Sequence, residues 1–324
     1  MKILITGCCG FIGFNFANFL AKSDKKIRII GIDNINNYYS VDLKKKRLKE
    51  LTKNKNFIFH KIDINQKEKL KKIYKKYLFN YVFHFAAQAG VRYSLINPQS
   101  YIKNNISGFF NILNLSLEFK TKKLFYASSS SAYGELNKFP LKEKYILKPK
   151  NIYGLSKKIN EEMVEVLLLK NKIQCIGLRF FTIYGEWGRP DMFMIKYLHA
   201  TFKKSKFFYL NNYGNHFRDF TYIKDVCKIL KKLINSKFKK QHLILNICSN
   251  RPLKITDIIR RIDKLTKKKA NIKSRPMQKA DIYKTHGDNS LVKRISGINK
   301  FTDISIGIKN TVNWFVSNKE KIKF

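Results

Sequence analysis

The sequence predicts an α/β protein built on a doubly wound parallel sheet, with a smaller α/β lobe toward its C-terminal end. Three observations carry that prediction. Short apolar runs alternate with stretches of helical periodicity through the first half of the chain. A glycine turn, "TGCCGFIG", joins the first apolar run to the first helical stretch. A carboxylate, Asp33, closes the second run about twenty residues after the last of those glycines.

Taken in order, the strand candidates are "KILIT" (2–6), "IRIIGID" (27–33), "FIFHKID" (57–63), "YVFHFAA" (81–87) and "KLFYASS" (123–129). Each is a short run rich in β-branched and aromatic residues, and each is separated from the next by a helical pattern. A sixth strand, "QCIGLRFF" (174–181), follows a helix that begins near Ile152. The rhythm then loosens: "GEWGRPDM" reads as a loop, "MFMIKYLHATF" as a helix, "NNYGNHFRDFTYI" as a turn and strand, and "HLILNI" as another strand. "TDIIRRIDKLT" and "GIKNTVNWFVSN" close the pattern as helices. The division expected is 1–182 for a dinucleotide-binding domain and 183–324 for a substrate lobe, some of whose segments return to the first domain.

With 324 residues and 44% hydrophobic content, the chain can bury a large core. The formal net charge of +44, from 66 Lys+Arg against 22 Asp+Glu, invites a nucleic-acid or membrane-surface reading. The distribution argues against both, because the lysines run along the whole chain in short clusters and form no basic tail. Their enrichment alongside Asn, Ile, Phe and Tyr matches A/T-rich codon usage. No specific nucleic-acid partner and no membrane insertion are expected.

Cys8, Cys9, Cys175, Cys227 and Cys248 form no Cys-x-x-Cys pair and accompany no histidine cluster, so neither a disulfide framework nor a metal site is expected. Residues 3–21 carry no charge and follow Lys2, which outlines an export signal. Glycines at 7, 10 and 13 interrupt it and fit a strand, a turn and a helix instead, so a cytoplasmic protein is expected.

Gly7, Gly10 and Gly13 are spaced Gly-x-x-Gly-x-x-Gly. Glycine permits the tight turn and lets backbone N–H groups of Gly10, Phe11, Ile12 and Gly13 approach a pyrophosphate at a helix N-terminus. Asp33, with Asn34 beside it, is placed to accept the adenosine ribose hydroxyls and to repel a 2′-phosphate, which favours NAD over NADP. Asp63 and Ile64 follow the third strand, where Asp63 either bonds the adenine or caps a helix. Ala86 and Ala87 end the fourth strand beside the same crevice.

The chemistry centres on "YASSSSAYG" and "NIYGLSK". Tyr153 and Lys157 stand one helical turn apart and project from one face, and a lysine cation near a phenol lowers the phenol's pKa toward working pH. The row of serines, Ser128 to Ser131, ends a core strand where hydroxyls stand with no carboxylate.

Together with the glycine turn and Asp33, these motifs resemble the extended short-chain dehydrogenase/reductase family, whose fold is Rossmann-like. Within it, "DNINNYYSVDLKKKRL", "HFAAQAGVRYSLINP", "ASSSSAYG", "LRFFTIYGEWGRPDM", "GNHFRDFTYIKDV" and "PMQKADIYKT" look like UDP-glucuronate 4-epimerases of polysaccharide synthesis. The resemblance implies that Ser129, Tyr153 and Lys157 are catalytic, Lys157 also holding the nicotinamide ribose, with Ser128 as a strand-end serine that satisfies backbone groups. It implies that Gln88, Arg92, Ser130, Ser131, Thr182, Arg189 and Arg218 meet a UDP-sugar, Arg218 at the diphosphate and Arg189 in the sugar pocket. Dehydratases and decarboxylases of the family carry acids where Ser130 and Ser131 stand here.

The resemblance also implies a homodimer through helices near 99–117 and 152–170. Departures from the family pattern fall at Arg275 and at Lys279 and Ala280, which leaves the lid over the uridine open. The alternatives are a UDP-N-acetylhexosamine or UDP-glucose 4-epimerase, a basic nucleic-acid-binding protein on the same fold, and an NAD-binding protein without catalysis.

Overall fold

The computed structural model describes residues 1–203, 207–278 and 281–322. Its first half alternates β1 (Lys2–Thr6), α1 (Phe11–Ser23), β2 (Arg28–Asp33), α2 (Val41–Thr52), β3 (Phe57–Lys61), α3 (Lys67–Tyr77) and β4 (Tyr81–His84). Two short helices, α4 (Tyr93–Ile96) and α5 (Gln99–Tyr101), lead through a π-helical segment, Ile102–Ser107, into α6 (Gly108–Glu118). Next come β5 (Lys123–Ser129), α7 (Ile152–Leu168), β6 (Gln174–Phe180) and β7 (Thr182–Tyr184). The remainder holds α8 (Phe193–Phe202), β8 (Phe207–Asn211), β9 (Phe217–Tyr222), α9 (Ile223–Asn235), β10 (His242–Ile247) and β11 (Pro252–Lys254). It ends in α10 (Ile255–Thr266), β12 (Asn271–Arg275), α11 (Ser290–Ser296) and α12 (Ile304–Asn318).

Seven parallel strands form the central sheet in the order β3-β2-β1-β4-β5-β6-β10. Both faces are covered. Phe14, Phe16 and Leu20 of α1 and Val226 and Leu230 of α9 pack on one side. Leu70 and Tyr74 of α3, Phe109 and Leu113 of α6, and Val164 and Leu168 of α7 pack on the other. Burial on both faces explains why the strands read as continuous apolar runs.

The expected sheet is present, with strand ends trimmed. The run 81–87 stops pairing at His84, and residues beyond it become the loop that lines the cleft. "HLILNI" becomes β10, the seventh strand of the central sheet, rather than a strand of a separate lobe. Outside that sheet lie the strands β11-β9-β7 and the pair β12-β8. The order reverses between β1 and β4, and in open α/β sheets a ligand crevice forms outside the strand ends at that point. Among the described residues, no helix is long and apolar enough to cross a membrane.

Candidate active site

A cleft of about 420 Å³ opens at that switch point. Gly7 leaves β1 with a positive φ of +67°, and its N–H donates to Ile32 O at 2.8 Å. A Cβ there would lie 2.7 Å from Ala86 N, and one on Gly13 would lie 2.2 Å from Gly7 O. The turn, the end of β4 and the first turn of α1 therefore pack backbone against backbone. No side chain caps α1, so the N–H groups of Phe11, Ile12 and Gly13 remain available to an anion at the cleft floor.

Asp33 accepts from Cys9 N at 3.0 Å and Ile35 N at 2.7 Å, one bond on each oxygen. Each oxygen keeps a lone pair for a ribose hydroxyl. Burial pushes its carboxyl up, while those bonds and the charge of Lys44 pull it back. Lys44 is pulled down to about 8 by burial, against the charge of Asp33, and donates to Asn36 O at 2.7 Å. Asn34, Ile64, Ala86 and Ala87 line the same cleft. The uncapped helix, the glycine cradle and the ribose-facing carboxylate fit NAD.

Asp63 lies outside the lining. It accepts from Asn65 N at 2.8 Å and Asn34 Nδ2 at 2.7 Å, and α3 takes Gln66 as its N-cap, so Asp63 is not the cap of that helix. Burial raises its carboxyl, but these bonds hold it below the usual range. Cys8, Cys9 and Asp33 bring donor atoms within 4.8 Å of one another, yet Asp33 is engaged by backbone N–H groups and burial pushes the Cys8 thiol well up.

The sugar half is built from β5, α7 and the chain after β6. Ser129, Ser130, Ser131, Tyr153, Lys157, Thr182 and Arg189 all line the cleft. Ser129 Oγ accepts from Ser131 N at 3.1 Å and stands beside the Tyr153 hydroxyl. Ser128 donates to Glu161 Oε1 at 2.5 Å, so its partner is a carboxylate rather than the expected backbone group.

Lys157 was expected to draw the Tyr153 hydroxyl down. Instead burial pushes that hydroxyl up, opposed by Ser129 and then by the charge of Arg189. Lys157 Nζ lies 6.0 Å from the ring centroid, and burial pulls the lysine down to about 8 against the charge of Glu161.

Arg189 forms a bidentate pair with Asp191, Nε to Oδ1 at 3.0 Å and Nη2 to Oδ2 at 2.6 Å, and Tyr38 Oη donates to the same carboxylate at 3.3 Å. Arg218 lines the far end and donates to Phe217 O at 2.9 Å and Tyr283 O at 3.1 Å; burial pulls it down to about 10, against Asp281. Arg92 pairs with Asp281 through Nη2 and Oδ2 at 2.8 Å and sits outside the lining. Gln88 lines the cleft, its N–H donating to Asn105 Oδ1 at 2.7 Å. Arg275 lies on β12 over the Tyr209 ring at 3.4 Å, while Lys279 and Ala280 lie outside the described residues.

Sequence reasoning missed three contributors. Arg47, wholly buried, donates to Cys9 O and Tyr39 Oη at 2.8 Å each and to Trp187 O, stitching the glycine turn to the loop before Arg189. Asn105, in the π segment, ties Gln88 to Ser156 of α7 at 3.0 Å. Tyr38 lines the cleft beside Arg189, whose guanidinium lies 6.0 Å from its ring centroid. The π segment that holds Asn105 is a feature that often marks a functional site, but it shows only in the structure.

Residues 4–311 match the family described as GDP-mannose 4,6 dehydratase. A protein of uncharacterized function from Methanocaldococcus jannaschii is 40% identical over 320 residues, covering 98% of this chain and 97% of that protein. A UDP-glucuronate 4-epimerase from Thermodesulfobacterium geofontis is 36% identical over 321 residues, covering 99% of this chain and 98% of its own length. The crystal structure of UDP-glucuronic acid 4-epimerase from Bacillus cereus, in complex with UDP-glucuronic acid and NAD, is similar with a TM-score of 0.92 at 28% identity. That similarity covers 98% of this chain and 99% of the other.

Proposed function

The chain belongs to this nucleotide-sugar family of short-chain dehydrogenase/reductases, and on that premise we propose that it inverts C4 of UDP-glucuronate to give UDP-galacturonate, a sugar of polysaccharide synthesis. At the coarser level it is an NAD-dependent UDP-sugar 4-epimerase, an isomerase. The observation that carries the choice of sugar is the wall around Tyr153. Ser129, Ser130, Ser131 and Thr182 present hydroxyls there without a carboxylate, and Arg189 adds positive charge at its edge.

Tyr153 takes the proton of the 4-hydroxyl, with Ser129 bonding the same oxygen, and Lys157 supplies the cation that favours the phenolate. NAD, which the glycine turn, the first turn of α1 and Asp33 would hold, would supply a reversible hydride acceptor for C4. The resulting 4-keto sugar turns over its other face, and Tyr153 gives the proton back. Water loss would need an acid or base near C5 and C6, which serines do not supply. A carboxylate beside a ketone is prone to leave as carbon dioxide once its bond aligns with the carbonyl π system; donors at Ser130, Ser131 and Thr182 hold it out of that alignment.

A neutral hexose is the second reading, supported by the Arg189–Asp191 pair, which occupies two of the arginine's donors within the protein. Product analysis with UDP-glucuronate, UDP-glucose and UDP-N-acetylglucosamine separates the two. UDP-galacturonate as the dominant product, without carbon dioxide or a pentose nucleotide, is expected. Faster turnover of a neutral sugar would overturn the assignment.

We also read a homodimer from the surface. Leu95, Ile96, Ile102 and Phe110 on the α4–α6 side, and Leu155, Val166 and Leu169 along α7, are exposed apolar residues on helices that pack together.

A further inference from the structure

Behind Lys157 lies a buried carboxylate that is not part of the cleft lining. Glu161 stands one helical turn further along α7, 5% exposed, and Lys157 is itself 2% exposed. Other elements converge on both oxygens of Glu161. Oε1 accepts from Ser128 Oγ at 2.5 Å and from Arg179 Nε at 2.9 Å, and Oε2 accepts from Arg179 Nη2 at 2.6 Å. Arg179, on β6, also donates to Glu143 O at 3.0 Å and lies over the Tyr133 ring at 4.6 Å.

We propose that Glu161 is a positioning residue for the reaction: its carboxylate keeps Lys157 a cation, while its bonds to Ser128 and Arg179 fix the strand end that presents Ser129. The proposal rests on the reading of Lys157 and Ser129 as working groups. An ion pair that served the fold alone would need only Arg179, and buried pairs of that kind are often replaceable by apolar residues at little cost. Here the same carboxylate also meets the residue before Ser129 and acts on the charge of Lys157.

The groups around Lys157 are few. Tyr153 and Glu161 come from α7, Ser128 and Ser129 from β5, His84 from β4 and Arg179 from β6. His84 is held neutral by burial, with the charge of Lys157 adding to the effect. Arg179 is bound up with Glu161. Among the described residues Glu161 is the carboxylate that opposes the desolvation of Lys157, which already sits at about 8. Removing that charge lowers the lysine's pKa further, so the cation is lost at a lower pH.

The test is the pH profile of kcat for epimerisation of UDP-glucuronate, or of whichever UDP-sugar the wild type turns over, using NAD-loaded enzyme. Glu161→Gln should move the alkaline limb down by about one pH unit or more. The double variant Glu161→Gln/Arg179→Gln leaves no unpaired guanidinium and, if the single variant folds poorly, should still displace the limb downward, by less than the single variant because a neighbouring cation is lost as well. Ser128→Ala keeps the carboxylate, so its alkaline limb should stay in place. A packing defect lowers the height of the profile without moving the limb. A folded, NAD-loaded Glu161 variant with the wild-type limb overturns the proposal, provided Lys157→Met abolishes turnover. Wild-type turnover in Lys157→Met would instead remove the reading on which it rests.

Discussion

Gly7→Ala tests whether the cofactor turn is built by contact as well as by conformation. Gly7 sits at φ +67°, and a Cβ would lie 2.7 Å from Ala86 N and 2.9 Å from Ala86 Cα, both backbone atoms that cannot swing aside. Gly297, at φ +71° after α11, has nothing within 4 Å of the same hypothetical atom. The left-handed backbone costs an alanine about 1–2 kcal/mol at either position. The overlap at Gly7 adds the cost of forcing extra volume into packed structure, about 1–3 kcal/mol. Gly7→Ala should therefore lose roughly 2–5 kcal/mol in urea unfolding. It should also lose bound NAD, because relief of the clash pushes the turn away from the end of β4 and tilts the open N–H groups of α1. Gly297→Ala should lose only the conformational part and keep its NAD. Equal losses in the two variants, with full NAD in both, would refute the claim that the contact between Gly7 and Ala86 shapes the site.

Tyr153→Phe should keep fold and NAD but lose turnover by roughly a hundredfold or more, measured as product formed per bound NAD. Asp33→Ala should weaken NAD binding and narrow the preference over NADP, read by competition between the two; equal affinity of the wild type for both would sink that assignment. Burial, aided by the charge of Lys157, pushes His84 down to about 3, so the unfolded chain takes up the proton first as pH falls. Stability should decline between the unfolded value near 6.5 and that folded value, by about 2 kcal/mol at about pH 5, and the decline should flatten in His84→Gln. Light scattering at working concentration should give a dimer mass; a monomer would contradict the reading of the exposed residues on α4–α7.

What was legible in the sequence was local. Gly7, Gly10, Gly13 and Asp33 lie within one β-α-β unit, and Tyr153 and Lys157 within one helical turn, so spacing alone places them. Contacts set by strand order were not legible. β10 joins β6 across more than sixty residues, and Arg47 reaches Trp187 because the second helix lies beside the loop after β7. Asn105 was hidden for another reason: it sits in a π turn inside a helix whose apolar periodicity reads through without a break. Arg189 was found as a residue, but its pairing with Asp191 and the bond from Tyr38 to that same carboxylate depend on how two loops fold over one another.

Spacing on α7 puts Tyr153 and Lys157 in one neighbourhood, and burial sets the energetics of the pair. Burial disfavours the charged form of both members of the pair, raising the phenol and lowering the ammonium to about 8. At neutral pH the resting site is therefore a phenol beside a lysine cation. Raising the pH does not simply expose a phenolate, because Lys157 gives up its proton first and with it the charge that a phenolate needs. A phenolate at Tyr153 therefore needs Lys157 still protonated beside it. That places the control of reactivity on what keeps Lys157 protonated and on what lowers Tyr153 locally. Glu161 faces the first, Ser129 and Arg189 the second. On the proposed role of Arg189 in the sugar pocket, substrate charge and Tyr153 basicity would be coupled through one guanidinium. A sugar carboxylate that drew on Arg189 would weaken its stabilisation of the phenolate, making that phenolate more basic and less populated.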